Sequence, residues 1–302
     1  MYSIRAYLKQ LKIYIKRPIS IFDKWAEAGR LNWMPDKWYL SLKFRSKMGY
    51  WMNWKHPKTF NEKLQWLKVH DRNPLYTQLV DKYEVRNFIS EKLGKEYLIP
   101  LLGTWDNVED IDFKKLPNKF VLKCTHDSGS IIICQEKDTF DFQKAKNKLK
   151  AALSRNFYHI SREWPYKHVK PRVIAEQYME TYDNNELCDY KFFCFAGTPK
   201  FMYISHDKAN HPTTDFFDMS FNHINMRMRD PNSTTCPQKP EKFEKMKELA
   251  TILSQGIPHV RVDFYCIQNH IYFGEMTFFH NAGFCPIKPH IKANEIGNLI
   301  SI

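Results

Sequence analysis

Two runs near the end of the chain, Val260–Cys266 and His270–Glu275, are rich in apolar, β-branched and aromatic residues and are parted by Gln268-Asn269, which predicts an antiparallel hairpin. Successive side chains on a strand point to opposite faces, so Val262 and Phe264 turn to a core while Arg261 and Asp263 share the other face. The turn brings Glu275 close to both. Charge set into apolar strands is costly unless it is paired or coordinated, which limits what can pack against this face. Two carboxylates beside one arginine suit Mg²⁺ bridging nucleotide phosphates, since that ion takes one or two protein carboxylates and completes its shell with phosphate oxygens and water. A partly buried salt bridge is the plainer reading of the same residues.

Two further blocks carry cations of the kind that bind phosphate. Lys119–Cys124 and Ile131–Cys134 read as strands of a second hairpin, with Thr125–Ser130 as its tip. Lys123, followed by Asp127-Ser128-Gly129-Ser130, places a cation before a loop rich in backbone N–H donors, which can grip phosphate from one side. A surface hairpin with a polar tip has the same appearance. No GxxxxGK[ST] string is present, so this is not a P-loop. The third block pairs Glu176-Gln177-Tyr178, in a strand over 173–179, with a strand Asp189–Ala196 on which Asp189 and Lys191 share one face. A further strand is expected at Lys200–Ser205 and helices at 141–156 and 241–255, while 206–240 lacks regular pattern, as substrate lids often do. The fold class is α+β.

The first part of the chain reads differently. Residues 1–70 hold 15 Lys/Arg against 4 Asp/Glu, whereas the whole chain of 302 residues has a net charge of +13, so the remainder is nearly neutral. Ile4, Leu8, Leu11 and Ile15 recur at helical spacing with Arg5, Lys9, Lys12 and Lys16 on the other faces. Such a helix docks on its own protein, lies on an anionic membrane surface, or meets nucleic acid. No zinc-finger or RNP-type motif accompanies it, so nucleic acid is not expected as a partner. Thr59 and Glu62 form a capping-box pattern ahead of Leu64, Trp66 and Leu67. A helix over Asp81–Leu93, stopped by Gly94, would put Lys82 and Arg86 on one face, a candidate substrate contact. In Arg162-Glu163-Trp164-Pro165-Tyr166-Lys167, Arg162 and Lys167 are candidates to hold a sugar carboxylate, while packing is the favoured role for Trp164.

With 43% hydrophobic residues, 22 Phe and 8 Trp, the chain has side-chain volume for a core, and a disordered or fibrous chain is excluded. No apolar run approaches the roughly 18 residues of a membrane span, and the N-terminus has no unbroken apolar segment of the signal-peptide kind. Seven cysteines without a CxxC pair read as free thiols in a reducing compartment, so a cytoplasmic location is expected.

Taken in order, the phosphate-facing lysine and glycine loop, the Glu-x-Tyr strand, the Asp-Tyr-Lys-Phe strand, and the Arg-Val-Asp and Gly-Glu-Met-Thr strands resemble the ATP-grasp layout. The chain closely resembles the TupA-like branch of that superfamily, the teichuronopeptide and capsule amidoligases. The likeness runs from about Pro57 to Gly283 and includes KTFNEKLQWLK, DRNPLYTQLVDKYEVR, FVLKCTHDSGS, REWPYK, DYKFFCF, RVDFY and IYFGEMTFF.

The resemblance implies roles residue by residue. Lys123 matches the nucleotide-phosphate lysine, and Ser128, Gly129 and Ser130 match the phosphate-covering loop. Glu176, Gln177 and Tyr178 match the hinge strand whose backbone meets adenine. Lys191 matches a second phosphate cation and Asp189 a ribose contact. Asp263 and Glu275 match the magnesium carboxylates, and Arg261 matches the arginine that steadies an acyl phosphate. Thr277 stands where many ATP-grasp enzymes have a metal-binding Asn, and Asn281 is a candidate replacement.

The implied cofactors are ATP and Mg²⁺, and the implied partners are a uronic-acid sugar and an amino acid, joined as an amide in surface-polysaccharide synthesis. Residues 1–17 would then rest against the inner face of the membrane. The expected division is a basic helical region over 1–70, a first part of the ATP-grasp core over 71–116, a lid subdomain over 117–180 and a C-terminal subdomain with the metal site over 181–302. Two other classes remain open. One is a glycosyltransferase using Asp110-Ile111-Asp112 as a DxD motif; the other is a non-enzymatic membrane-surface or nucleic-acid binding protein.

Overall fold

The computed structural model describes residues 19–180, 187–206 and 211–302. The basic helix expected over 1–17 lies outside the described residues. Among the described residues three helices come first: α1 (Ser20–Glu27), α2 (Asp36–Met48) and α3 (Phe60–His70). Gly49, in the left-handed conformation at φ 83°, ends α2. Thr59 and Glu62 form the reciprocal capping box that starts α3.

The helix expected over Asp81–Leu93 begins only at Val85. Helices α4 (Leu75–Val80) and α5 (Val85–Lys92) flank a turn at Asp81–Glu84, because the Asp81 carboxylate accepts from the backbone N–H groups of Tyr83 and Glu84 and so competes with helical bonding. Lys82 therefore stands in the turn, and only Arg86 is helical.

Two antiparallel sheets follow. The smaller has the order β1 (Leu101–Trp105), β4 (Val173–Gln177), β2 (Phe120–Cys124), β3 (Ile132–Cys134), so its edge strand comes from residues ahead of 117. Helix α6 (Phe142–Leu153), capped by the Asp141 carboxylate, sets Leu149 against Phe120, Leu122 and Val173 in this sheet's own core. The larger has the order β10 (His270–Thr277), β9 (His259–Ile267), β5 (Asp189–Phe195), β6 (Thr198–His206), β7 (Thr213–Asp218), β8 (His223–Ile224). The last two strands fall in the stretch whose pattern looked irregular. Thr213–Asp218 is a strand with Phe216 and Phe217 buried, so that stretch extends the sheet as well as connecting it. Helix α7 (Phe243–Ser254) covers one face with Phe243, Met246, Leu249 and Leu253, and α8 (His290–Gly297) packs on α3.

Helix α3 also buries polar residues. Asn61, Gln65 and Lys68 fall at i, i+4 and i+7, one stripe of the helix, and each donates to backbone carbonyls of the segment 282–285. Gly283 sits so close that a Cβ there would lie 2.3 Å from the Gln65 amide nitrogen. This stripe fixes the turn that follows β10.

None of the seven cysteines forms a disulfide, and Cys124, Cys134 and Cys194 are buried. Among the described residues no helix is long and apolar enough to cross a membrane.

Arg162 proves to be part of this framework. Only 1% exposed, its guanidinium donates to the carbonyls of Leu31, Asn32 and Met34 and lies over the Tyr39 ring at 4.3 Å. A guanidinium this deeply buried, with Nη2 held on three carbonyls, has no open face for a sugar carboxylate, which corrects the expectation for this residue. Lys167 is exposed with its ammonium over the Tyr158 ring, and Trp164 packs with its indole N–H on the Asp71 carbonyl. Replacing Arg162 by Ala strands those three carbonyls and opens a cavity between the N-terminal helices and residues 158–164. The expected loss is about 3–5 kcal/mol of stability, read as a lower urea midpoint. A loss below about 1 kcal/mol would assign the anchoring to the surrounding apolar contacts instead.

Candidate active site

The polar face of the large sheet carries one row of residues in register across four strands. Tyr203 on β6 lies opposite Lys191 on β5, Lys191 opposite Asp263 on β9, and Asp263 opposite Glu275 on β10. Strict alternation along β10 does not produce this row. Ile271 and Phe273 are buried in the core, and two residues further Glu275 would follow them. A bulge at Gly274 shifts the register between Phe273 and Glu275 and turns Glu275 over to the side of Asp263. A Cβ on Gly274 would lie 3.1 Å from the Asp263 carbonyl oxygen, so the bulge suits glycine. The hairpin turn has both Gln268 and Asn269 at positive φ, as a two-residue turn matched to strand twist requires.

Arg261 lies at the centre of the cluster. Its Nε and Nη2 donate to the two oxygens of Asp263, both at 2.7 Å; Nη2 also donates to Glu275 at 2.7 Å and to the Thr277 hydroxyl at 3.0 Å. On its other side Nη1 meets Nδ1 of His280 at 2.6 Å. Lys191 Nζ lies 2.6 Å from Asp263 and 3.2 Å from Asp189.

The electrostatics follow from this crowding. Enclosure by the crevice walls would raise Glu275, but Arg261, Lys191 and Lys82 outweigh it and hold the carboxyl at about 2. Burial would lower Lys191, but Asp263, Asp189 and Tyr203 together outweigh it, so the ammonium stays charged. His280 is pushed well below its ordinary value by burial and then by Arg261, so its ring is neutral and Nδ1 accepts from the guanidinium.

Facing this cluster is the small sheet. Lys123 on β2 and Glu176 on β4 are paired at 2.6 Å, and Glu176 also meets Arg86 at 3.4 Å. Lys82, Arg86, Lys123 and Glu176 line one crevice with Gly274 and Glu275, and Tyr166 closes its side. Lys82 is partly buried, which lowers it against the pull of Glu275 and Asp127, and its ammonium donates to the Asp127 carbonyl. The crevice encloses only about 30 Å³, room for a water or two. Lys123 and Glu275, far apart along the chain, thus share one crevice where the two sheets meet, and Asp263 and Lys191 follow Glu275 in the row across the large sheet.

Other candidates are placed elsewhere or are engaged. The Ser130 hydroxyl donates to Asp127 at 2.5 Å and accepts from the Cys124 N–H, so it shapes the loop, while Ser128 and Gly129 are exposed at its tip. The tip borders a hollow against α6, beside Lys148 and Arg155. Gln177 is exposed at the end of β4, and the Tyr178 hydroxyl accepts from Gln135. Beside Glu275 the hydroxyl of Thr277 stands at 3.0 Å. Asn281 instead sets its amide 3.0 Å from the His280 ring and lines a different hollow, which corrects its assignment beside the two acids. In the DxD string, Ile111 is buried in the small-sheet core and Asp112 caps a turn through the Lys114 N–H, so these residues serve packing and capping.

A family profile described as TupA-like ATPgrasp matches residues 62–301. The chain belongs to the TupA-like ATP-grasp family. No curated protein matches it in sequence. Solved structures similar to this ATP-grasp chain include D-alanine–D-alanine ligase from Bacillus anthracis complexed with ATP, at 16% identity over 67% of this chain and 55% of that one, with a TM-score of 0.40. D-alanine–D-alanine ligase from Helicobacter pylori matches at 11% identity over 80% and 69%, with a TM-score of 0.41. N5-carboxyaminoimidazole ribonucleotide synthetase from Thermus thermophilus matches at 11% over 84% and 59%, with a TM-score of 0.39. The chain spans about half the length of the first of these, and likenesses of this size bear on no residue's role.

Three residues at the ATP-grasp site were given no site role by the sequence: His280 behind Arg261, and Tyr166 at the crevice wall and Glu163 near Lys68 and Glu275, both within the REWPYK string. Burial drives Glu163 up and Lys68 down, each relieved by the other's charge. The signal for these residues was the polar stripe of α3, which buries Lys68 and holds the turn bearing His280.

Because Glu275 is held at about 2 against an ordinary value of 4.5, its contribution to stability is present above pH 4.5 and is lost as pH falls towards 2. Glu275→Gln should therefore have a lower Tm than wild type at pH 7, with the gap narrowing as pH is taken from 5.5 to 3. A gap that stays constant with pH would mean that the Arg261 contact contributes nothing ionic.

Proposed function

We propose that this chain is an ATP-dependent carboxylate–amine ligase working through an acyl phosphate. The observation that carries this reading is a crevice between two sheets lined by Lys82, Lys123 and Glu275, with Glu275 tied through Arg261 to Asp263 and Lys191 behind it. A triphosphate there has Lys82 and Lys123 beside it and the Arg261 cluster next to Glu275. The γ-phosphoryl group passes from ATP to a carboxylate oxygen of the substrate, giving ADP and an acyl phosphate. An amine then attacks the acyl carbon, loses its proton and expels inorganic phosphate, leaving an amide. Phosphoryl transfer asks chiefly for positioning and charge compensation, which fits a site of cations and two acids. The crevice is too narrow for a nucleotide as it stands, so binding parts the two sheets and lifts Lys123 from Glu176.

The residues fit a magnesium ion. Among the described residues no group of three or more His, Cys, Asp or Glu forms a closed metal cage. Asp263 and Glu275 supply the one or two carboxylates that Mg²⁺ takes when phosphate oxygens and water complete its shell. Bound there, Mg²⁺ would offset phosphate charge during transfer. Arg261, tied to both acids and backed by His280, is then placed to steady the acyl phosphate. The resemblance of the motif strings supports a uronic acid of a surface polysaccharide or its precursor as the carboxylate, and an amino acid as the amine. A cytoplasmic enzyme held to the inner membrane face by residues 1–17 suits a lipid-linked precursor.

The test is release of ADP and phosphate across a panel of uronic acids and amino acids with ATP and Mg²⁺. Release should require both partners, and Asp263→Asn should lower it by at least about 100-fold. Formation of AMP would replace the acyl phosphate with an adenylate, and release with a nucleotide-sugar alone would restore the glycosyltransferase reading. For the N-terminal region, deletion of residues 1–17 should weaken co-sedimentation with anionic liposomes; unchanged binding would remove the membrane role.

A further inference from the structure

The charged row of the large sheet does not end at Tyr203. That residue lies opposite Phe216 on β7, and two pairs along, on the same face, Ser205 lies opposite Thr214. These four residues form one wall of a second hollow, bounded on the other side by His280 and by Arg229-Asp230. Its volume is about 110 Å³, well below the roughly 300–1,000 Å³ of pockets for larger ligands. A small polar molecule fits that space better than a nucleotide or an oligosaccharide.

The position of the hollow matters as much as its size. His280 forms part of its lining and meets Arg261 at 2.6 Å, and the Arg261 guanidinium stands 6.0 Å from the Tyr203 ring. Arg261 thus faces the two acids on one side and the lining of this hollow on the other. Whatever occupies the hollow lies one side chain away from the arginine assigned to the acyl phosphate.

The chemistry of the lining is that of a zwitterion site. Arg229 and Asp230 place opposite charges at the mouth, held only loosely together at 3.9 Å, with Arg229 77% and Asp230 29% exposed by side chain. Ser205 and Thr214 add hydroxyls within. A free α-amino acid presents one carboxylate and one ammonium group, and adjacent Arg and Asp answer both. A uronic acid would use only the arginine and leave the aspartate opposing it.

We propose that this hollow is the subsite for the amine substrate, a free α-amino acid, with Arg229 taking its carboxylate and Asp230 its ammonium group. The proposal rests on the ligase reading for its role in the reaction, but the subsite itself is testable by binding alone. Both side chains are exposed enough that Arg229→Gln and Asp230→Asn should fold, with an unchanged Tm. Calorimetric titration of the full chain, with ATP and Mg²⁺ present, should find at least one member of a panel of the common α-amino acids that binds. Each variant should weaken that binding by about tenfold or more, while ATP affinity stays the same. The corresponding amino-acid amides and desamino acids should bind wild type less well.

No binding by any amino acid, or equal binding by wild type and both variants, overturns the subsite. In the ADP-release assay the variants should raise KM for the amine and leave KM for the carboxylate substrate unchanged; the reverse pattern gives the hollow to the sugar and also overturns it. Binding that depends on Arg229 and Asp230 in a protein that releases no ADP with any pair would sustain the subsite and sink the ligase reading.

Discussion

The site is built around one guanidinium. Arg261 is buried in the middle of an antiparallel sheet, where an uncompensated cation would be severely destabilising, and it is stable there because acids on its own strand and the next one surround it. The same contacts hold Asp263 and Glu275 in fixed rotamers and join β9, β10 and the turn carrying His280. Removing the arginine would leave the buried Asp263 and the part-exposed Glu275 facing each other with only Lys191 and Lys82 to offset them. Stability and chemistry therefore rest on the same set of hydrogen bonds.

The bulge at Gly274 makes that set possible. In a regular strand Glu275 would follow Ile271 and Phe273 into the apolar core, and Arg261 would have lost one of its two acids. One extra residue re-phases the strand, so Met276 takes the buried place and Glu275 the polar one. Further along the chain, the polar stripe of α3 performs a comparable service by gripping residues 282–285. The helical N-terminal part is thus a scaffold for the site, with Arg162 anchoring it to the connection before β4. Its basic composition says nothing of this, since only a few of its cations, Lys43 and Lys68 among them, make buried anchoring contacts.

Much of the site was legible in the sequence because it consists of local pairs. Arg261 and Asp263 two apart, Asp189 and Lys191 two apart, and the capping box of Thr59 and Glu62 are set by strand and helix periodicity alone. The capacity of 206–240 to add a strand was harder to see, since Phe216 and Phe217 are flanked by polar residues and the strand is defined by its neighbour β6. Asp81 broke an expected helix through a side-chain bond that competes with the backbone. Arg162 looked like a substrate contact because a lone arginine in an unusual motif gives no hint of which distant carbonyls it will meet.

The sequence alone determined the α+β class, the strand faces and the order of blocks that resemble the TupA-like ATP-grasp family, because periodicity and motif order are properties of neighbours along the chain. Tertiary structure alone decided that Lys123 and Glu275 share a crevice, that His280 backs Arg261, and that Thr277 rather than Asn281 stands beside the acids. Those outcomes depend on sheet register, a one-residue bulge and the contact of α3 with a turn over 200 residues away. Contacts of that range follow from which surfaces can pack together, and no local spacing encodes them.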